Sequence, residues 1–293
     1  MILLRSVLEQ GMIYAIMALG VYITYKILDF PDLTVDGSFP LGAALTALMI
    51  RGGVNPLLTM PACFLVGGVA GMLTGLIHVK LKVRDLLSGI IMMTALYTVN
   101  LQIAGRANLP FYDNNTVFDN AFVSSIFTGV LYPYRTLVIS FLLMLVVKCL
   151  LDGYLSTKSG FLLRAVGDND SIVTSLGLDK GTVKIIGLSI ANALVALSGC
   201  IFAQQQHFFD ISMGTGTVVI GLASVIIGTG LFAKVTLFRI TTSVVIGAVL
   251  YKACVAIAIS YVEPVNLKLI TAALFLLILV LGMERKKKVK QSA

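Results

Sequence analysis

Pro56-Leu57-Leu58-Thr59-Met60-Pro61-Ala62-Cys63-Phe64-Leu65-Val66-Gly67-Gly68-Val69-Ala70-Gly71-Met72-Leu73-Thr74-Gly75-Leu76-Ile77-His78-Val79 contains no Asp, Glu, Lys or Arg. At a rise of ~1.5 Å per residue, a helix of this length crosses the ~30 Å hydrocarbon layer of a bilayer. Gly67, Gly71 and Gly75 recur every four residues and share one helical face, which lets a neighbouring helix approach closely. Similar runs are read at Val7 to Leu28, Leu33 to Ile50, Leu86 to Ala104, Pro133 to Leu151, Thr182 to Ala203, Gly214 to Leu231, Ile240 to Tyr261 and Leu267 to Met283. The expected fold class is an all-α polytopic membrane protein, residues 1–293 forming a single transmembrane domain of about nine (8–10) transmembrane or re-entrant helices. Helices are the default because hydrocarbon offers backbone groups no water, and the runs lack the alternating polarity of barrel strands.

Composition agrees. With 58% hydrophobic residues, 12% charged residues and a mean hydropathy of +0.97, the chain is not that of a water-soluble domain. The opening segment lacks a basic start followed by a small-residue cleavage site, so its apolar stretch is read as a retained span. The net charge of +8 is densest in Arg285-Lys286-Lys287-Lys288-Val289-Lys290, directly after the last expected span. There it reads as a topology determinant beside anionic lipid headgroups, and no nucleic-acid partner is expected. Cys63, Cys149, Cys200 and Cys254 are far apart and show neither a disulfide framework nor metal-ligand spacing. A phosphate-cradling GxxxxGK[ST] loop, an HExxH pair and a CxxC pair are all missing from the sequence. No catalytic or metal residue is therefore assigned, and any transport must draw its energy from another subunit.

Basic residues set the orientation. Lys80, Lys82 and Arg84 lie in one connection, Lys158, Arg164, Lys180 and Lys184 in a second, Lys234 and Arg239 in a third, and the tail follows. These mark the cytoplasmic side, including the C-terminus. Asn108 to Tyr132 carries Asp113 and Asp119 without Lys or Arg, and Gln204 to Asp210 and Glu263 to Asn266 carry no Lys or Arg, so these connections are read as external. Counting back places the amino terminus outside.

Polar breaks interrupt the runs. Asp32-Leu33-Thr34-Val35-Asp36-Gly37-Ser38-Phe39-Pro40 inserts carboxylates, hydroxyls, Gly and Pro at or near membrane depth. Such a break is tolerated only where protein or a wet cavity surrounds it. Two readings of Asp36 stand side by side: part of a translocation path or inner gate with Thr34 and Ser38, or an interfacial N-cap or Lys partner. Gly214-Thr215-Gly216-Thr217, Gly221 and Gly228-Thr229-Gly230 mark either close helix packing or a second break. Tyr14, Ala18, Tyr22 and Tyr25 share a face of the first span, as do Ser189, Asn192, Ala196 and Gly199 of the sixth. Each stripe is a path lining or a helix contact. Tyr97, Asn100 and Gln102, with Gln204 to His207, suggest an uncharged outer mouth. The path is assigned to Thr34, Asp36, Ser38, Thr94, Tyr97, Asn100 and Asn192, and no charged intramembrane pair suited to an amino acid's two termini is apparent.

The longest polar break, about 152–182, reads as a cytoplasmic loop of two short helices. Phe161, Leu162 and Val166 give the first an apolar side, Asp168, Asn169 and Asp170 offer caps, and Ile172, Val173 and Leu176 continue on the second, closed by Gly177. Its apolar area is too small to fold alone, so it needs a lipid surface or a groove on a partner.

Gly160-Phe161-Leu162-Leu163-Arg164-Ala165-Val166-Gly167-Asp168-Asn169, followed by Leu176-Gly177-Leu178, resembles the coupling segment of ATP-binding-cassette importer permeases of the branched-chain amino acid and ribose group. Matching strings at Ala18 to Val21, Leu33 to Phe39, Gly89 to Tyr97 and Val219 to Gly228 extend the resemblance over most of the chain. The Thr-Val-Asp-Gly-Ser-Phe and Ile-Gly-Leu-Ala-Ser-Val-Ile-Ile-Gly strings are most similar to a bacterial subgroup assigned to aromatic amino acid (tryptophan or tyrosine) uptake. The resemblance implies an importer permease in the bacterial plasma membrane that binds no cofactor itself. Its expected partners are a second permease chain, as a homodimer, an ATPase subunit holding ATP and Mg, and an extracytoplasmic substrate-binding lipoprotein. ATPase coupling would rest on Gly160, Phe161, Leu163, Arg164, Ala165, Val166, Gly167, Asp168 and Asn169. An ion-driven secondary transporter with Asp36 as carrier is the alternative.

Overall fold

A computed structural model describes residues 2–168, 174, 179–232, 239–261, 269, 271–273, 276 and 280. Its helices are α1 (Ile2–Val21), α2 (Val35–Arg51), α3 (Pro56–Lys80), α4 (Asp85–Ala104), α5 (Ala121–Ile126), α6 (Arg135–Leu155), α7 (Lys158–Asp168), α8 (Lys180–Gln206), α9 (Thr217–Leu231) and α10 (Ile240–Tyr261). Two short strands, β1 (Asn108–Pro110) and β2 (Phe208–Asp210), pair antiparallel. Among the described residues, seven helical segments are long and apolar enough to cross a membrane, which makes this an all-α polytopic membrane protein. The expected span Leu33 to Ile50 corresponds to α2, which runs from Val35 to Arg51 and, with 17 residues, reaches ~26 Å. The ninth expected span, the second half of the 152–182 loop and the basic tail lie outside the described residues, apart from isolated positions.

The most enclosed span is α1, walled by α6, α8, α9 and α10. It runs antiparallel to α8, since Ser198 donates its hydroxyl to the Ile13 carbonyl at 2.8 Å and Gly20 lies against the Ala191 carbonyl. α8 in turn packs on α2 and α3. The glycine stripe of α3 faces α8: a Cβ at Gly71 would overlap the Leu188 carbonyl, one at Gly67 the Ala196 side chain, and one at Gly75 would sit 2.9 Å from the Ile185 Cα. Ser189 donates to the Gly68 carbonyl at 2.8 Å. Packing in lipid gains little from the hydrophobic effect, so backbone approach of this kind carries the contact.

The β1–β2 ribbon ties the ends of α4 and α8 together on one side of the membrane, with Asn108 opposite Asp210. Arg135 and Asp119 form an ion pair at 3.0 Å on the same side. The antiparallel α1–α8 pairing puts the start of α1 there too, while α7 lies at the opposite end.

Gly71→Val forces the Leu188 carbonyl away and costs roughly 1–3 kcal/mol of overpacking. Gly68→Ala, whose Cβ would meet Ser189 Oγ at 3.3 Å, is tolerated far better. Thermal unfolding of the two detergent-solubilised variants should separate them in that order.

Candidate functional site: two helices that begin inside the membrane

The last turn after α1 widens into a π-helix over Tyr22–Ile27, and Asp29 takes a left-handed conformation with φ 51°. The chain then folds back through Phe30, whose ring meets His78 edge-on at 5.1 Å, and starts α2 within the protein. A second break precedes α9, where a 3-10 turn at Ile211–Gly214 leads to Gly216 at φ 84°. Asp36, in the first turn of α2, joins the two breaks. Its Oδ1 accepts from the Val218 N–H and the Thr217 hydroxyl, both at 2.8 Å, and its Oδ2 accepts from the Gly216 N–H at 3.0 Å. A helix leaves its first N–H groups unpaired and carries a partial positive charge at that end, so a carboxylate there is stabilising. Asp36 thus acts as a cap, but for α9 and not for its own helix.

Around it lies a buried polar knot. Ser38 donates to Asn192 Oδ1 at 2.7 Å, and Asn192 Nδ2 donates to Asp32 Oδ2 at 2.7 Å and to the Leu188 carbonyl at 3.1 Å. Asp32 Oδ1 accepts from the Thr34 N–H at 2.9 Å, and the Thr34 and Thr74 hydroxyls share a hydrogen bond at 2.9 Å. Asn100 donates to the Gly37 carbonyl at 3.0 Å while its own Oδ1 stays buried without a partner. Thr34, Asp36, Ser38, Asn100 and Asn192 therefore converge on the first turns of α2. Thr94 and Tyr97 do not: both lie on the exposed face of α4, Tyr97 being 53% exposed, and the Thr94 hydroxyl bonds to Ile90 in its own helix. The stripe Ser189, Asn192, Ala196 and Gly199 proves to be contact surface, Gly199 lying on the Phe39 carbonyl and Gly42 on that of Ala196. Of the expected outer mouth, Gln204 is buried: it donates to the Thr59 hydroxyl at 2.9 Å and accepts from the Val117 N–H at 2.9 Å.

Sequence reasoning passed over two groups. Asp32 was legible only as a second carboxylate in the broken string. Lys252 is a solitary cation in the apolar run of α10, and its ammonium sits 3.5 Å from the centroid of the Tyr14 ring. The same ring stacks on Phe39 at 5.7 Å, and Phe202 meets it edge-on at 5.4 Å. No hydrogen bond or ion pair joins Lys252 to another described residue. A desolvated cation–π contact contributes roughly 2 kcal/mol, whereas a lysine at a helix centre in lipid costs about 2.5–3.5 kcal/mol or more. The ring offsets only part of that cost.

At the opposite end from the β ribbon, α7 buries Gly160, Leu163 and Val166. Gly167 lies directly on the Ile27 carbonyl, and Gly160 sits against Tyr154 and Leu155. This corrects the expected apolar side: Val166 faces inward, Leu162 is half-buried, and Phe161 is 62% exposed, because the two glycines choose which face of the helix can approach the π turn and α6. Arg164 and Asp168 are exposed on the outward side, and Ala165 is half-buried. Asn169 lies outside the described residues. Between α7, the π turn, α6 and α10 opens a cavity of about 490 Å³ whose lining includes Tyr22, Lys26, Asp152, Phe161, Arg164 and Arg239. In it Asp152 accepts from Thr241 at 2.6 Å and pairs with Lys148 at 3.0 Å and Arg239 at 3.5 Å. Beyond α7, Asp179 caps α8, and the Thr182 hydroxyl, followed by the Gly181 N–H, holds its carboxyl below the usual range.

Two helices that begin within the protein, the start of one capped by a carboxylate of the other, set among spanning helices, are an arrangement suited to a membrane transport permease. The chain belongs to the family described as the permease component of branched-chain amino acid transport systems, whose model matches residues 3–281. A tyrosine transport system permease protein of Clostridioides difficile is 42% identical over 278 residues, covering 94% of this chain and 90% of the relative. A ribose import permease of Escherichia coli K12 is 27% identical over 229 residues, covering 77% of this chain and 68% of the relative. A probable branched-chain amino acid transport permease of Methanocaldococcus jannaschii is 27% identical, covering 74% and 70%. No solved structure matches the chain.

Asp36→Ala leaves the first N–H groups of α9 unpaired and should lower stability by roughly 1–3 kcal/mol. Asp36→Asn, which keeps one acceptor oxygen, should cost less. Melting temperatures of the purified variants check the ranking, and equal values for Asp36→Ala and the unaltered protein would remove the cap from the account.

Proposed function

We propose that this chain is the permease subunit of an ATP-driven importer. It takes a small solute, an amino acid of the aromatic kind, from an external binding lipoprotein into the cytoplasm. The observation that carries the reading is the division of α7 into two faces. One face is fixed to the π turn and to the end of α6, while Phe161, Arg164 and Asp168 are exposed on the other, where they also line the 490 Å³ cavity. A short helix anchored in this way and presenting an aromatic ring between charges fits a helix-in-groove contact with a soluble ATPase. ATP and Mg belong to that ATPase, two permease chains pair as a homodimer, and the protein resides in a bacterial plasma membrane with α7 and the C-terminus cytoplasmic. Kinship with the tyrosine transport permease supports the aromatic amino acid as cargo. Thr34, Asp36, Ser38, Asn100 and Asn192 brace the path between the two breaks. Thr94 and Tyr97, on the outward face of α4, border it only where a second chain covers that face. The secondary-transporter reading loses support because three donors hold the Asp36 carboxylate, which a proton or sodium carrier must release.

Arg164→Glu reverses a charge on the exposed face of α7 and should abolish ATPase co-purification and lower solute uptake by about tenfold or more, the scale of one lost charged contact. Wild-type uptake together with undiminished co-purification counts against the docking role. In proteoliposomes, uptake should require ATP and persist when a protonophore is added.

A further inference from the structure

We propose that Lys252 is a mid-membrane anchor for the carboxylate of the transported solute, with the ring cluster of Tyr14, Phe39 and Phe202 beside it as an aromatic neighbour. The proposal rests on the importer reading and adds to it the residue that holds the cargo's carboxylate within the membrane.

Lys252 lies near the middle of the 22 residues of α10, with roughly 18 Å of helix between it and Ile240. Its ammonium offers three N–H donors. One side meets the Tyr14 ring, and among the described residues no oxygen accepts from it. The residue is not fully enclosed by its own chain. Its ammonium, against the Tyr14 ring, is buried, and a buried cation at this depth calls for an anionic partner. A carboxylate supplies the missing acceptors and charge, and a desolvated surrounding strengthens that contact.

The same face of α1 repeats the pattern closer to the cytoplasmic end. Tyr14, Ala18 and Tyr22 follow at intervals of four residues, and Tyr22 lines the 490 Å³ cavity together with Lys26 and Arg164. Neither of those two cations is in an ion pair with a described residue. One helical face thus presents a tyrosine beside cationic groups at the centre of the membrane and again ~12 Å further in. Ala18, fully buried between them, closes the interval in this conformation. A carboxylate leaving Lys252 meets Lys26 and Arg164 next.

The test uses the complete complex of permease, ATPase and lipoprotein in proteoliposomes, with radiolabelled tyrosine as the probe and ATP hydrolysis measured in parallel. Lys252→Met and Lys252→Gln should lower tyrosine transported per ATP hydrolysed by about tenfold or more, and Lys252→Arg should remain within about threefold of the unaltered protein. Lys252→Met removes an uncompensated charge, so the complex should assemble, which gel filtration verifies. A transport-to-hydrolysis ratio unchanged in all three variants overturns the proposal, whether or not both rates fall together. Dissociation of the permease pair on Lys252→Met also overturns it, since the ammonium would then pair with the second copy. If the unaltered complex shows no ATP- and lipoprotein-dependent uptake, the importer reading itself fails, a result distinct from either of these.

Discussion

The carboxylate of Asp36 satisfies the opening N–H groups of a helix that begins some 180 residues later in the chain. In hydrocarbon no water is available to solvate a bare helix end, so α9 can start inside the membrane only if protein supplies the acceptors. The cap also solves the reverse problem, because a carboxylate at that depth needs donors and the partial positive charge of a helix terminus as much as the terminus needs an anion. Gly214 makes the approach feasible: it lies on the Asp36 carbonyl, where any side chain would collide. The position of α2 follows from this contact. Ser38 then falls opposite Asn192, and Phe39 comes to lie flat against Tyr14.

Two kinds of interaction therefore divide the interior. Toward α3 and α8 the contacts are main chain against small residue, reinforced by Asn192, which holds Ser38, Asp32 and Leu188 at once. Toward α6, α9 and α10 the contacts also contain charged groups, Lys252 over its ring and Asp152 bound by Lys148, Arg239 and Thr241, while α9 and α10 themselves meet main chain to main chain, Gly228 on the Ser243 carbonyl and Gly247 on that of Ser224. α1 is shared by both regions.

Much of this was readable in advance. Apolar runs fix most of the spans because their length is imposed by the bilayer and needs no tertiary information. The four-residue glycine period of α3 correctly announces a tight contact, though not that α8 is the partner. Other features escaped for physical reasons. A cap supplied across 180 residues has no local signature, so Asp36 could be read only as a candidate N-cap or path residue. The helix starting near Asp36 has 17 residues, close to the length of a crossing, so hydropathy alone does not reveal that it begins within the protein. On α7 four apolar residues are crowded into six positions, and the glycines at 160 and 167, not the hydrophobic pattern, decide that Leu163 turns in and Phe161 out. Lys252 vanished because averaging over a window dilutes one charge among many methyl groups. Thr94 and Tyr97 belong to a helix face whose covering a single chain cannot reveal.

The contact between Gly167 and the Ile27 carbonyl has a mechanical meaning. Side chains that meet across an interface can change rotamer and absorb a small displacement; two peptide backbones in direct touch have no such slack. Any displacement of α7 along this contact would reach the wide turn below α1 without lost travel, and that turn, with its longer hydrogen-bonded loop, is where it could be taken up as a change of pitch.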